Sequence, residues 1–248
     1  MCCRTDFLNL RIMDHKTSKL YLVRHGQASF GEKNYDNLSP KGIKQSISLG
    51  KSLKKENFDF KNIVIGPLKR HRQTYDGIKK GFKGAINEPI VIDEFAENQL
   101  MEIAQHYIPE MLDTNKSMKE IFSEVPVWKR RKAFFKYFNI IARKWIMGEY
   151  DFSKNKFETY KDFRKRIKVA KNKVYDLMNE NESTMVVSSG GAITGIYSEC
   201  EPLTVDEVMQ NSFEIKNASV STFIKLNQGF TLESFNRSFI PKYLETYI

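Results

Sequence analysis

Four short apolar segments constrain this chain more than any other feature. They are Lys19-Leu20-Tyr21-Leu22-Val23, Asn62-Ile63-Val64-Ile65, Pro89-Ile90-Val91-Ile92 and Thr184-Met185-Val186-Val187. Each ends in polar or glycine residues, and most lead into a helix-like stretch. Such runs suit strands covered on both faces, as in a parallel sheet. Alternating with helices, they predict a three-layer α/β/α fold with a mostly parallel central sheet. Residues 219–226 and 231–236, around Asn227-Gln228-Gly229, read as a hairpin that adds an antiparallel edge.

The chain of 248 residues suits one large domain. Residues 1–18 read as an N-terminal arm, with Met13 as an alternative start. Residues 19–248 read as the domain, and a helical insert over the active site spans residues 95–182, roughly. Ser39 and Pro40 open the first helix as N-cap and first helical residue, with Ile43, Ile47 and Leu53 on its apolar face. Within the insert, Phe134, Phe138, Ile141 and Trp145 recur at helical spacing. That stripe reads as core packing rather than a cofactor box.

Composition narrows the function classes. The net charge is +10 and is uneven. Residues 115–175 carry 18 Lys and Arg against 6 Asp and Glu, a balance of +12, which leaves the remainder at −2. A solvated helical surface accounts for this segment, and it would steer anions. No zinc-finger spacing or RNP-like motif supports nucleic-acid binding. Cys2, Cys3 and Cys200 give neither a disulfide framework nor a metal spacing. With no apolar run long enough for a bilayer and no signal-like h-region, the expectation is a cytoplasmic protein without membrane attachment.

The strand ends carry the chemistry. In an open α/β sheet, ligands bind beyond the carboxyl ends of the strands. The first strand delivers Arg24 and His25. The second precedes Arg70, in Pro67-Leu68-Lys69-Arg70-His71-Arg72-Gln73-Thr74. The third ends near Glu94. The fourth delivers Ser189 and Gly190-Gly191 at a helix start, where free amides and a partial positive charge suit a phosphate. A neutral imidazole can attack phosphorus, two guanidiniums can hold the equatorial oxygens, and a carboxylic acid can protonate the departing oxygen. The set needs no metal and no cofactor.

The run LYLVRHGQASFG, followed in order by LSPKG, PLKRHRQT and VVSSGGAI, resembles the histidine phosphatase, or phosphoglycerate mutase-like, superfamily. The resemblance runs from Lys19 through the late Ser-Phe-Asn segment. It implies His25 as nucleophile, Arg24 and Arg70 as phosphate ligands, and Glu94 as proton donor; the helix start adds Ser189 and Gly190 as phosphate-binding residues. Glu97 and Glu102 compete for that last role.

Two departures stand out. The family usually carries a second histidine where this chain has Ser189, as in a branch with RHGQASFG and Ser-Gly-Gly endings. It often has Ser where this chain has Gly66. A serine hydroxyl cannot carry positive charge, and losing one transition-state donor costs about 100- to 1,000-fold. His71 and His106 could stand in, but both read as solvent-facing helix residues. The resemblance implies a histidine acid phosphatase-like phosphomonoesterase working on a phosphorylated small molecule through phosphohistidine. The alternative is a catalytically weak relative that binds a phosphorylated ligand. A mutase ranks last, because the loop from Gln27 to Gly31 lacks the Glu-Ser/Thr-x-x-Asn pattern.

Overall fold

A computed structural model describes residues 17–29, 36–113, 127–149 and 156–247. The arm up to residue 16, Met13, Cys2, Cys3, Phe30 and Gly31 lie outside these residues, as does the Phe134 side chain. In chain order the elements are β1 (Lys19–Arg24), α1 (Pro40–Lys55), β2 (Asn62–Ile65), α2 (Lys69–Phe82) and β3 (Ile90–Val91). A 3-10 turn (Asp93–Phe95) follows, then α3 (Leu100–Asp113), α4 (Val127–Met147), α5 (Tyr160–Leu177), β4 (Thr184–Ser188), α6 (Gly190–Cys200), α7 (Val205–Glu214), β5 (Ser219–Lys225) and β6 (Phe230–Ser238).

The strands form one sheet in the order β3-β2-β4-β1-β5-β6. The first four are parallel, and β5 and β6 add the antiparallel hairpin. Side chains alternate across it with the period of two that a strand imposes. Val23, Ile63, Ile65, Met185 and Val187 pack with Leu49 and Leu53 of α1 and Tyr75, Ile78 and Phe82 of α2. Leu20, Leu22, Val64 and Val186 pack with Ile167 and Val174 of α5, Ile193 and Ile196 of α6, and the α4 residues Phe138, Ile141 and Trp145. Each fully buried aliphatic side chain contributes about 1.5–3 kcal/mol. Phe138, Ile141 and Trp145 of the α4 stripe are core, as their spacing implies.

Two local readings shift. The third strand is only Ile90–Val91, and both residues are exposed; Pro89 lacks the N–H that would extend the ladder. In α1, Ile43 is exposed, and the buried face is Gly42, Gln45, Ser46, Leu49, Gly50 and Leu53. The cause is close packing against α2. A Cβ on Gly50 would come within 2.1 Å of the Ile78 carbonyl oxygen, and one on Gly81 within 2.0 Å of that of Ile47. Small residues therefore occupy the face where an apolar stripe would be expected. Ser39 caps α1 as read, accepting from the Gly42 amide at 3.0 Å.

This topology positions the site. The chain leaves β1 toward α1 on one face and leaves the adjacent parallel β4 toward α6 on the other. A crevice opens where neighbouring strands diverge in this way. Arg24 pairs in register with Ser188, so His25 and Ser189 are the next residues on the two strands.

Candidate active site

His25 is anchored from both sides of its backbone. Its amide donates to the Ser188 carbonyl at 2.9 Å, and its own carbonyl accepts from Asn217 Nδ2 at 3.3 Å. The next amide, Gly26, donates to Thr74 Oγ1 at 3.0 Å. On the imidazole, Nδ1 lies 2.7 Å from the Gly26 carbonyl oxygen. A carbonyl can only accept, so Nδ1 carries the hydrogen and Nε2 keeps its lone pair. Arg70 Nε donates to that Nε2 at 3.2 Å. The ring is buried. Burial foremost, then the charges of Arg70 and Arg24 and the neighbouring His71, hold its pKa well below the usual imidazole value. His25 is therefore a neutral imidazole whose Nε2 lone pair is fixed in place.

Arg24 and Arg70 are both buried. Arg24 Nη1 donates to the Ile215 carbonyl, and its Nε stands 3.5 Å from where a Cβ on Gly190 would lie. Arg24 thus sits beside the α6 N-terminus. Arg70 is held by Asp36, which accepts from its Nη1 at 2.9 Å. Asp36 also accepts from the Lys69 amide at 2.8 Å. It thereby caps α2, whose own N-cap residue Leu68 has no side chain to do so. Sequence reading missed Asp36: it acts across 33 residues, and no local spacing marks it. Thr74 and Asn217 were also missed, although Thr74 lies in the PLKRHRQT run.

The carboxylates separate clearly. Glu94 lies in the 3-10 turn and turns toward α5, where its Oε1 accepts from Lys173 Nζ at 2.6 Å. That bond holds its pKa below the usual carboxylate value, the opposite of what an acid needs. Glu97 comes to the start of α6, its Oε1 2.4 Å from where a Cβ on Gly191 would lie. The backbone carrying both is fixed by Arg166, which donates to the Glu94 and Ala96 carbonyls at 2.7 and 2.9 Å. Glu102 is exposed on α3.

Ser189 occupies the N-cap position of α6, yet its hydroxyl makes no capping bond. Its Oγ lies 2.8 Å from Nε2 of His71. His71 is not solvent-facing but wholly buried, with its ring 5.8 Å from that of His25. Burial first, and then Arg70, push its pKa down to about 3. A signal for this existed: His71, Tyr75, Ile78 and Phe82 recur at i, i+4, i+7 and i+11, the buried face of α2. His106 is exposed, as read. The site therefore gathers Arg24, His25, Arg70, His71, Glu97, Ser189 and the Gly190-Gly191 helix start, and leaves Glu94 to an ion pair. Among the described residues no group of three or more His, Cys, Asp or Glu is placed to hold a metal ion, and no helix is long and apolar enough to cross a membrane.

Comparison with known proteins follows the same lines. The family model for the histidine phosphatase superfamily (branch 1) matches residues 20–133 and 136–238. A search of curated proteins finds no match. Among solved structures, a phosphoglycerate mutase from Bacillus anthracis is similar at 17% identity and a TM-score of 0.63, over 91% of this chain and 95% of that one. A phosphoserine phosphatase from Entamoeba histolytica, in complex with 3-phosphoglyceric acid, is 22% identical with a TM-score of 0.56, over 92% and 99%. A mycobacterial glucosyl-3-phosphoglycerate phosphatase is 15% identical with a TM-score of 0.59, over 90% and 100%.

Proposed function

Because the chain belongs to the histidine phosphatase superfamily (branch 1), we propose that it is a phosphatase that hydrolyses a phosphomonoester of a small molecule through phosphohistidine at His25. The observation that carries this reading is the fixed tautomer of His25: Nδ1–H committed to Gly26, and Nε2 left as a buried, neutral nucleophile beside Arg70. The solved relatives named above as phosphatases take phosphorylated small molecules by name, which supports the substrate class.

In this mechanism Nε2 attacks phosphorus in line as the bond to the leaving oxygen breaks. Arg24, Arg70 and the α6 amides meet the charge that spreads over the equatorial oxygens. Glu97 gives its proton to the leaving oxygen and then takes one from the water that attacks the phosphohistidine, releasing phosphate and restoring both groups. No step calls for a metal, so a chelator should leave turnover unchanged. A second reading, a weakly active relative that mainly binds a phosphorylated ligand, is favoured by Ser189, a neutral donor where the family places a histidine.

The test is a brief incubation with a labelled phosphomonoester, quenched separately in acid and in base. Phosphohistidine survives base and not acid. A base-stable, acid-labile label that His25→Ala abolishes is the expected result. Normal turnover in a folded His25→Ala protein would remove His25 as nucleophile. Binding without label or turnover would select the second reading.

A further inference from the structure

The buried imidazole of His71 has no part in the mechanism above, and its placement is unusual. It reaches from α2 toward the junction of β1 and β4. Its Nε2 meets Ser189 Oγ at 2.8 Å. Ser189 is wholly buried and its hydroxyl leaves the α6 amides uncapped, so capping does not explain this serine. A hydroxyl offers one hydrogen and two acceptor sites. Nδ1 of the ring has no hydrogen-bond partner among the described residues, so Nε2 carries the ring hydrogen and donates to Oγ, and the hydroxyl's own hydrogen is left to point elsewhere. Ser189 follows Ser188, the register partner of Arg24, so it stands one strand spacing, about 4.8 Å, from the backbone of His25.

The other side of the imidazole explains Gly66. A Cβ there would lie 2.5 Å from His71 Nδ1 and 2.6 Å from the Phe95 carbonyl oxygen. Neither can give way, since one is a packed ring and the other is backbone. The ring and the Phe95 carbonyl together require glycine behind it. It also fills the space in front of Ser189, where a larger side chain would extend. His71 thus touches both departures, as one of two groups that crowd position 66 and as the partner of Ser189.

Resting on the phosphatase reading, we propose that Ser189 is a catalytic hydrogen-bond donor to the transferring phosphoryl group, and that His71 is the positioning residue that turns its hydroxyl toward the group. No bond forms or breaks at either residue. The pair supplies a directed neutral hydrogen bond where a second imidazole would supply a charged one. The polar choice also makes sense energetically. A buried imidazole without a role costs more than an aliphatic side chain of similar size, and the residues that follow His71 along its stripe, Tyr75, Ile78 and Phe82, are apolar or aromatic.

The experiment measures kcat and KM for phenyl phosphate with wild type, Ser189→Ala, His71→Ala, His71→Gln and His71→Ala/Ser189→Ala, with folding checked by circular dichroism and thermal melting. Expected is a loss in kcat of about 100-fold in Ser189→Ala, with KM little changed. His71→Ala should lose a similar factor, and the double variant no more than either single. His71→Gln should recover most of the rate, since its amide can still donate to Ser189. Losses that multiply in the double variant would overturn the proposal. So would a folded His71→Gln as slow as His71→Ala, or full kcat in Ser189→Ala, which is informative even if His71→Ala does not fold. Wild type is labelled in parallel: a base-stable label with His71-independent turnover overturns this inference alone, and no label overturns it together with the phosphatase reading.

Discussion

Nε of Arg70 stands 3.2 Å from Nε2 of His25, while Nη1 of the same guanidinium reaches Asp36 at 2.9 Å. On the proposed mechanism the His25 lone pair thus already faces the group that would hold the phosphoryl oxygens, and Asp36 fixes that group's plane. In that mechanism an arriving phosphoryl group would have to take over the bond from Arg70 to His25 before attack.

Arg70→Ala should therefore lower kcat/KM by about 100- to 1,000-fold. Arg70→Lys should recover little of it, because a point charge lacks the planar fork that spans His25, Asp36 and a phosphate. Asp36→Ala should cost about 0.5–2 kcal/mol of stability through the lost α2 cap and a smaller part of the activity. Steady-state kinetics and urea unfolding check both. An Arg70→Lys variant near wild-type rate would count against the fork.

The two carboxylates predict opposite outcomes. Glu97→Gln should slow hydrolysis of an alkyl phosphate by about 100- to 10,000-fold and affect an activated aryl phosphate far less. Glu94→Gln removes a partly exposed pair with Lys173 and should change stability by no more than about 1 kcal/mol, with activity retained. A comparison across leaving groups decides it. If Glu94→Gln shows the leaving-group dependence, the donor is Glu94.

Acid should weaken the fold before the bulk of the carboxylates titrate. His25 and His71 both have folded pKa values below that of an unfolded imidazole, about 6.5, through burial and the adjacent arginines. Below that pH the unfolded chain takes up protons that the folded chain refuses. Stability is then fully present above about pH 6.5 and falls as pH drops toward the folded values, by up to about 1.4 kcal/mol per pH unit for each imidazole. Urea unfolding at pH 7 and pH 5 should show the loss. His71→Gln should show roughly half of this component, and an unchanged slope would mean that His71 is not buried neutral.

Sequence logic alone would restore activity with Ser189→His. The structure predicts the reverse, because the His71 ring lies 2.8 Å from Ser189 Oγ. Ser189→His alone should lower both melting temperature and turnover by overpacking, costing about 1–3 kcal/mol. In a His71→Ala background the same substitution should be accommodated. The two changes should therefore couple favourably in a double-mutant cycle. Additive effects would show that the two side chains do not share space.

Much of this was legible from local pattern. The strands announce themselves as apolar runs, and Arg24, His25 and Arg70 follow from strand ends and a short motif. What was not legible depends on contacts between distant elements. Asp36 is recognisable only once α2 is placed beside it. The buried face of α1 carries Gln45 and Ser46 because the helix meets glycines of α2, which an apolar periodicity cannot reveal. Glu94 and Glu97 differ only through a 3-10 turn that buries Phe95 and sends Glu94 toward Lys173. His71 hid because a histidine between two arginines reads as surface, although its spacing with Tyr75 and Ile78 placed it inside.

The position of β4 in the sheet carries a consequence for how the protein matures on the ribosome. It joins the sheet between β1 and β2, yet it is made after both by more than a hundred residues. Until Thr184–Ser188 has left the exit tunnel, β1 has no parallel neighbour, β2 lacks the partner on its β1 side, and the His25 amide lacks its acceptor at Ser188. The parts made earlier, including α1 and α2 with their tight glycine contact, can associate first. The sheet must then admit a strand into its middle, a pairing of high sequence separation and correspondingly slow closure. Nascent chains stalled before residue 184 should be protease-sensitive across β1 and unable to accept a phosphoryl label, and those that expose β4 and α6 should become protease-resistant and label-competent in one step.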